Sequence, residues 1–155
     1  MEDKMHSIIN KFLVEAFNEI LKSEEISLSK GFRNLSVKEM HVIEVVCEGE
    51  KTGDNIANIL AKRLKVTAGT LTTAVSLLEK KGYLVRERDI NDKRIVRITA
   101  TESGWKAQEY HRQFHEKMVG AILEKLDEEE SKVLVKALGH VTEFFRNEYN
   151  QDVKK

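Results

Sequence analysis

Between residues 5 and 22 the apolar positions Ile8, Ile9, Phe12, Leu13, Ala16, Phe17, Ile20 and Leu21 recur three and four apart, which predicts an amphipathic helix. The stripe is wide for a terminal helix and calls for a large apolar surface to cover it. A looser stretch follows from Ser23 to Asn34, with Gly31 as its expected break. Ser36 stands three residues before Glu39, the spacing of a reciprocal helix cap, and predicts a second helix through Met40, Ile43 and Val46 to about Glu48. The chain turns between Gly49 and Gly53. Thr52 or Asp54 is then placed to cap a short third helix carrying Ile56, Ala57, Leu60 and Ala61. Thr67 is placed to cap a fourth, with Leu71, Ala74 or Val75, and Leu78 on its apolar side and Gly82 at its end.

After Gly82 the period falls from 3.6 to 2. Tyr83, Val85 and Glu87 alternate with Leu84, Arg86 and Arg88, and a turn at residues 90–93 leads into a second alternating run from Arg94 to Thr99. That pattern predicts a β-hairpin with a charged tip. Thr101, or Ser103 ahead of Gly104, starts a long helix through Trp105, Tyr110, Phe114, Met118 and Ile122. Asp127 caps a last helix, acidic in its first turn and carrying Val133, Leu134, Ala137, Leu138, Val141, Phe144 and Phe145. The fold class is therefore mainly α with a small β-hairpin. Two short helices joined by a tight turn and followed by a hairpin have the order of a winged helix-turn-helix. The expected division is residues 1–34 as an N-terminal helix and connector, 35–100 as the winged domain, and 101–155 as the C-terminal helices.

Composition sharpens this in three ways. None of the 155 residues is proline, so long uninterrupted helices are permitted. A single cysteine leaves no internal disulfide, and no apolar run approaches the roughly 20 residues of a membrane span. With a charged start, Met1-Glu2-Asp3-Lys4, these features lead us to expect a cytoplasmic protein without a membrane role. Finally, 26 basic and 26 acidic residues cancel overall but are not mixed. From Lys62 to Arg97 there are ten Lys/Arg against four Asp/Glu, a local charge of +6 that the rest of the chain offsets. A basic middle between acidic flanks suits a polyanion.

A helix that enters the DNA major groove needs small or polar side chains at its first turns, so that they reach base edges. Thr67, Ala68, Gly69, Thr70, Thr72, Thr73 and Ser76 supply them, although threonine and serine are poor helix formers. Lys62, Arg63 and Lys65 precede that helix and are candidates for phosphate contacts, with base reading assigned to Gly69, Thr70, Thr72 and Thr73. Arg86, Arg88, Lys93, Arg94 and Arg97 give the hairpin its charge, and a narrow minor groove attracts arginine.

From Leu35 to about Glu148 the chain resembles the MarR family of winged-helix transcriptional regulators. The likeness rests on TLTTAVSLLEKKGYLVRERDINDKRIVRITATESG, in which DKRIVRIT fits the family's Asp-x-Arg wing pattern. The resemblance implies that Arg94 enters the minor groove, that Asp92 orients it, and that the terminal helices form a homodimer. A dimer reads an inverted repeat with its recognition helices about one helical turn, roughly 34 Å, apart. Where Thr73 stands the family often has a basic residue, so a bidentate guanine contact from this helix is not carried over.

A narrower resemblance is to the FabT-like repressors of bacterial fatty-acid synthesis genes, carried by SEEISLS, LSVKEMHVIEVV, GTLTTAVSLLEKKGY, YHRQFHEKMV and EEESKVLVKAL. It implies a long-chain acyl group on acyl carrier protein as co-repressor. Phe17, Leu21, Met40, Ile43 and Phe114 are the apolar residues expected to line its tunnel. An alternative lies in the zinc-responsive branch of the same family, which implies Glu24, His41, His111 and His115 as zinc ligands. His111 and His115 have the i, i+4 spacing at which two imidazoles share one ion. Cys47 invites comparison with redox-sensing relatives, but it follows Val45-Val46 in an apolar run and reads as a small buried hydrophobe. His41 or His111 with Glu44 is the nearest approach to an acid–base pair. HExxH, GxSxG and a phosphate-binding glycine loop are all missing, which argues against an enzyme.

Overall fold

The computed structural model describes residues 1–149. Helix α1 (Glu2–Gly31) runs 30 residues, through the stretch expected to be loose. Sequence periodicity missed this because Glu24 is a polar residue turned inward. It is buried together with Leu28, one turn later, and these two hold the end of α1 on the core. The chain breaks at Gly31 as expected, here as the last residue of α1, and the site admits only glycine because the Tyr110 ring lies where a Cβ would stand. The Tyr110 hydroxyl donates to the Ser27 carbonyl at 2.7 Å.

Ser36 and Glu39 form the expected reciprocal cap of α2 (Val37–Thr52), which ends at Gly53 with φ +81°. Helix α3 (Ala57–Leu64) starts differently from expectation. Thr52 donates to Asp54 at 3.0 Å, so neither caps α3, and Ile56 occupies the N-cap position without a side-chain bond. The reason is that Asn55 and Ile56 are extended and pair with the hairpin: the Ile98 N–H donates to the Asn55 carbonyl, and Ile56 bridges Arg97.

Thr67 caps α4 (Ala68–Lys80) by accepting the Thr70 N–H. The turn between α3 and α4 is made by Lys65 in a left-handed conformation, φ +56°. Strands β1 (Leu84–Arg88) and β2 (Val96–Ala100) pair antiparallel, Leu84 opposite Ala100 and Arg88 opposite Val96. Thr101 accepts the Gly104 N–H at the start of α5 (Glu102–Leu123). Asp127 and Glu130 cap α6 (Glu128–Tyr149) reciprocally.

Two compact units result, Met1–Phe114 and the remainder from His115. The first is wider than a winged domain of residues 35–100, because the end of α1 and the first half of α5 pack into it. Its core draws Met40, Ile43, Val46 and Cys47 from α2, Leu60 from α3, Leu71, Val75 and Leu78 from α4, and Leu84 and Ile98 from the hairpin. Each large aliphatic side chain so buried contributes about 1.5–3 kcal/mol, and together they fix the hairpin against α4. In the second unit no described side chain of α6 is buried, and Val133, Leu138, Phe144 and Phe145 stand exposed. No described helix is long and apolar enough to cross a membrane.

Candidate nucleic-acid interface

The exposed side of α4 is built from its own cap. Thr67, Ala68, Gly69, Thr70, Thr72 and Thr73 are all exposed, while Leu71, Val75 and Leu78 anchor the opposite side. The threonine hydroxyls are already hydrogen-bonded: Thr72 donates to the Ala68 carbonyl at 2.9 Å and Thr73 to the Gly69 carbonyl at 3.1 Å. What Thr72 and Thr73 present outward is therefore methyl groups and oxygen lone pairs. Such a surface suits thymine methyls and base-edge donors. A Cβ at Gly69 would meet nothing, so the start of α4 is open to close approach.

Lys62, Arg63 and Lys65 are exposed at the end of α3, beside the α4 N-terminus. Arg63 shares its charge with Glu48, 2.6 Å away. On the hairpin, Arg88 and Lys93 are exposed, and Arg88 donates to the Lys93 carbonyl at 3.3 Å. Arg94 projects from the tip with its side chain 90% exposed. Asp92 holds it with both carboxylate oxygens, Oδ1 accepting its Nε at 3.0 Å and Oδ2 its Nη2 at 3.1 Å. The same bonds hold the Asp92 carboxyl below the usual carboxylate range and raise the Arg94 guanidinium. This is the oriented Asp–Arg pair expected at a wing tip.

Ser76 and Arg86 are engaged with each other. Arg86 Nη2 donates to Ser76 Oγ at 2.9 Å and to Glu79 Oε2 at 3.1 Å, and its backbone N–H donates to Glu79 Oε1 at 2.7 Å. The two are half-buried and tie β1 to α4, a structural role beside the DNA contacts that the sequence suggested for them. Arg97, counted with the basic hairpin, is likewise turned inward onto Asp89, Gly53 and Asn55. Sequence alone could not separate these from Arg94, since the carboxylate that captures each lies seven or eight residues away.

The residues expected to line an acyl tunnel do not share one surface. Met40 and Ile43 are fully buried in the core, Phe17 is exposed on α1, and Leu21 and Phe114 are half-buried. An acyl chain reaching Met40 and Ile43 would have to open packed core. The alternative metal ligands that lie in the first unit, Glu24, His41 and His111, converge. His41 Nε2 lies 3.7 Å from Glu24 Oε2, and His111 Nε2 lies 4.0 Å from Glu24 Oε1. Glu44, absent from that set, joins them with Oε2 3.8 Å from His111 Nε2. Its signal was available in its place one turn after His41 on α2. The ligand atoms of His41, Glu44 and His111 all lie within 4.8 Å of one another. His115 is the first residue of the second unit, one turn further along α5. Cys47 is fully buried, and burial, then Glu50, pushes its thiol up to about 12. A thiol so protonated at neutral pH is a packing residue and a poor oxidant sensor.

The MarR family profile matches residues 53–96, which span the turn into α3, α4 and the hairpin up to the start of β2. A curated relative, the uncharacterized HTH-type transcriptional regulator YwhA of Bacillus subtilis strain 168, is 33% identical over 76 residues. That match covers 49% of this chain and 55% of YwhA, so the chain spans about half of that relative's length. The transcriptional regulator ZitR of Lactococcus lactis subsp. cremoris is 27% identical over 143 residues, covering 89% of this chain and 96% of ZitR. Among solved structures, Streptococcus pneumoniae FabT in complex with DNA is 36% identical, covers 92% of this chain and 98% of its own, and superposes with a TM-score of 0.84. Likeness of this extent, on the fold and interface described above, shows that the chain belongs to the MarR family of winged-helix transcriptional regulators.

Proposed function

We propose that this protein is a sequence-specific DNA-binding repressor acting as a homodimer. In this reading it controls fatty-acid synthesis genes with a long-chain acyl group on acyl carrier protein as co-repressor. The observation that carries DNA binding is the combination of an exposed, threonine-lined α4, an outward, aspartate-oriented Arg94, and the exposed Lys62 and Lys65 that precede α4. Phosphates then meet the lysines and the wing, and bases meet Gly69, Thr70, Thr72 and Thr73. The uncovered apolar stripes support the dimer. Phe12 and Phe17 of α1 are 61% and 62% exposed, and Phe144 and Phe145 of α6 are exposed as well. Exposed apolar stripes of this kind mark an interaction site, and a second copy supplies equivalent ones.

The fatty-acid assignment is supported by the FabT likeness and by the segments in which the sequence resembles that group. A second reading is favoured by the cluster of Glu24, His41, Glu44 and His111. Nitrogen–oxygen separations of 3.7–4.0 Å are long for hydrogen bonds, yet close to the roughly 3.4 Å between two ligands of one tetrahedral zinc. ZitR, whose crystal structure is described as that of a zinc-responsive MarR family member, keeps the same fold. In that reading the ion draws α1, α2 and α5 together, and the target genes serve metal uptake.

The test is a binding titration against the promoter of a fatty-acid-synthesis operon from the source organism, run with protein alone, with long-chain acyl carrier protein, with zinc and with a chelator. Tightening by the acylated carrier and indifference to zinc is the expected result. Zinc dependence without an acyl effect would overturn the fatty-acid assignment in favour of the metal reading.

A further inference from the structure

Arg94 can act on DNA only if the loop that carries it is held still, and the hairpin tip has little to hold it. Between Asp89 and Ile95 the backbone makes two bonds of its own, Asp89 N–H to the Ile95 carbonyl and Ile95 N–H to the Asp92 carbonyl, both 2.9 Å. Side chains supply the rest. One oxygen of Asp89 accepts the N–H groups of Asn91 and Asp92 at 3.0 and 3.1 Å, which folds the tip over the carboxylate. The other oxygen accepts Arg97 Nε at 2.5 Å. Arg97 in turn donates through Nη1 to the Gly53 carbonyl and to Asn55 Oδ1, both at 3.2 Å. Asn55 is buried and anchored on Ile98 by two bonds of 2.9 Å, one from its Nδ2 and one to its carbonyl.

We infer that Asn55, Arg97 and Asp89 form a brace that positions the wing-tip Arg94, acting through Asp92, so that Arg97 governs DNA affinity without touching DNA. The brace runs from the core to solvent: Asn55 is buried, Asp89 and Arg97 are half-buried, and Arg94 is in solvent. The links at Arg97–Asp89 and Arg94–Asp92 are charge-assisted, the stronger class of hydrogen bond. Arg97 bonding holds the Asp89 carboxyl below its usual range, so the brace keeps its charge at neutral pH. A flexible arginine gives up considerable rotamer freedom when it is fixed on a ligand, and a loop ordered beforehand removes part of that cost. Both Arg97 and Asp89 are positioning residues in this account, which rests on the DNA-binding reading above.

A double-mutant cycle tests it. The probe is a labelled duplex enriched by the unaltered protein from a random-sequence pool, and binding is read by fluorescence anisotropy over a range of salt. Arg97→Met is expected to weaken binding about fivefold to tenfold in the otherwise unaltered protein, and less than about twofold once Arg94→Ala is present, as coupled neighbours behave. Arg97→Lys, which keeps one donor toward Asp89, restores part of the loss. The salt slope falls with Arg94→Ala but stays within about half a unit for Arg97→Met in the Arg94→Ala background. Thermal unfolding of all four proteins separates positioning from folding, because a merely structural loss follows the melting temperature and ignores Arg94. Equal losses in both backgrounds would overturn the brace while leaving DNA binding in place. Failure of the unaltered protein to enrich any duplex would overturn both.

Discussion

Lys65 allows stability and binding to be pushed in opposite directions by one substitution. It is the residue other than glycine with positive φ among those described, at φ +56° and ψ +42°, and it closes α3 with its N–H directed at the Ala61 and Lys62 carbonyls. Holding an L-residue there costs about 1–2 kcal/mol. Glycine removes that cost, and its greater freedom in the unfolded chain returns about 0.4–1 kcal/mol of it. Lys65→Gly is therefore expected to stabilise the fold by about 0.5–1 kcal/mol, a rise of about 1–4 °C for a chain of this size. The same change removes a cation beside the α4 N-terminus. If Lys65 meets a phosphate, the slope of log affinity against log salt falls by about one unit per chain. Calorimetry gives the first quantity and anisotropy titrations at several salt concentrations the second. Lys65→Asn is the control, since asparagine tolerates the left-handed conformation while lacking the charge. A fall in melting temperature with Lys65→Gly would refute the backbone argument, and an unchanged slope would remove Lys65 from the interface.

Three further outcomes follow from named contacts. Gly104→Ala puts a Cβ onto the Tyr83 carbonyl oxygen and against Ala100 Cβ, and is expected to cost about 1–3 kcal/mol or more as an overpacked site; urea unfolding with no loss of stability would show that α5 shifts freely. Thr72→Ala removes a methyl and an oxygen from the exposed side of α4, and should alter preference among operator variants by roughly threefold to tenfold; uniform weakening across variants would count against base reading there. Burial alone would raise the Glu39 carboxyl, but the Lys81 ammonium and the Ser36 N–H outweigh it and leave it below its ordinary 4.5. The folded state thus binds that proton less readily than the unfolded state, so the contribution is complete above pH 4.5 and is lost as pH falls through the lower folded value. Glu39→Gln should accordingly lower the urea midpoint at pH 7 and make less difference at pH 3, and an equal effect at both would refute the charge argument.

The elements that sequence made legible are those written in a local code. The reciprocal cap of Ser36 and Glu39, the caps at Thr67 and Asp127, and the change of period at Gly82 each need only a few neighbouring residues, and all stand where expected. What stayed hidden depends on partners far along the chain. The continuation of α1 turns on a buried Glu24 that meets His41 and His111. The extended Asn55–Ile56 segment is two residues long, too short to show a period, and exists because β2 offers it an edge. The same limit governs the interface. Arg86, Arg94 and Arg97 look alike in a charged hairpin, and only the positions of Glu79, Asp92 and Asp89 decide which one projects into solvent. For an acyl tunnel the sequence could name apolar residues but not which of them the core already uses, as it does Met40 and Ile43.

The central claim is that α4 and the wing form a DNA-reading surface presented twice by a homodimer. The most direct measurement is selection of bound duplexes from a random-sequence pool by the unaltered protein, followed by salt titration of the winning duplex. The account predicts an inverted repeat whose half-site centres lie about one helical turn apart, 10–10.5 base pairs. It also predicts that affinity falls steeply and linearly on logarithmic axes as salt rises. Enrichment of no sequence, or of a single half-site bound without regard to salt, would contradict it.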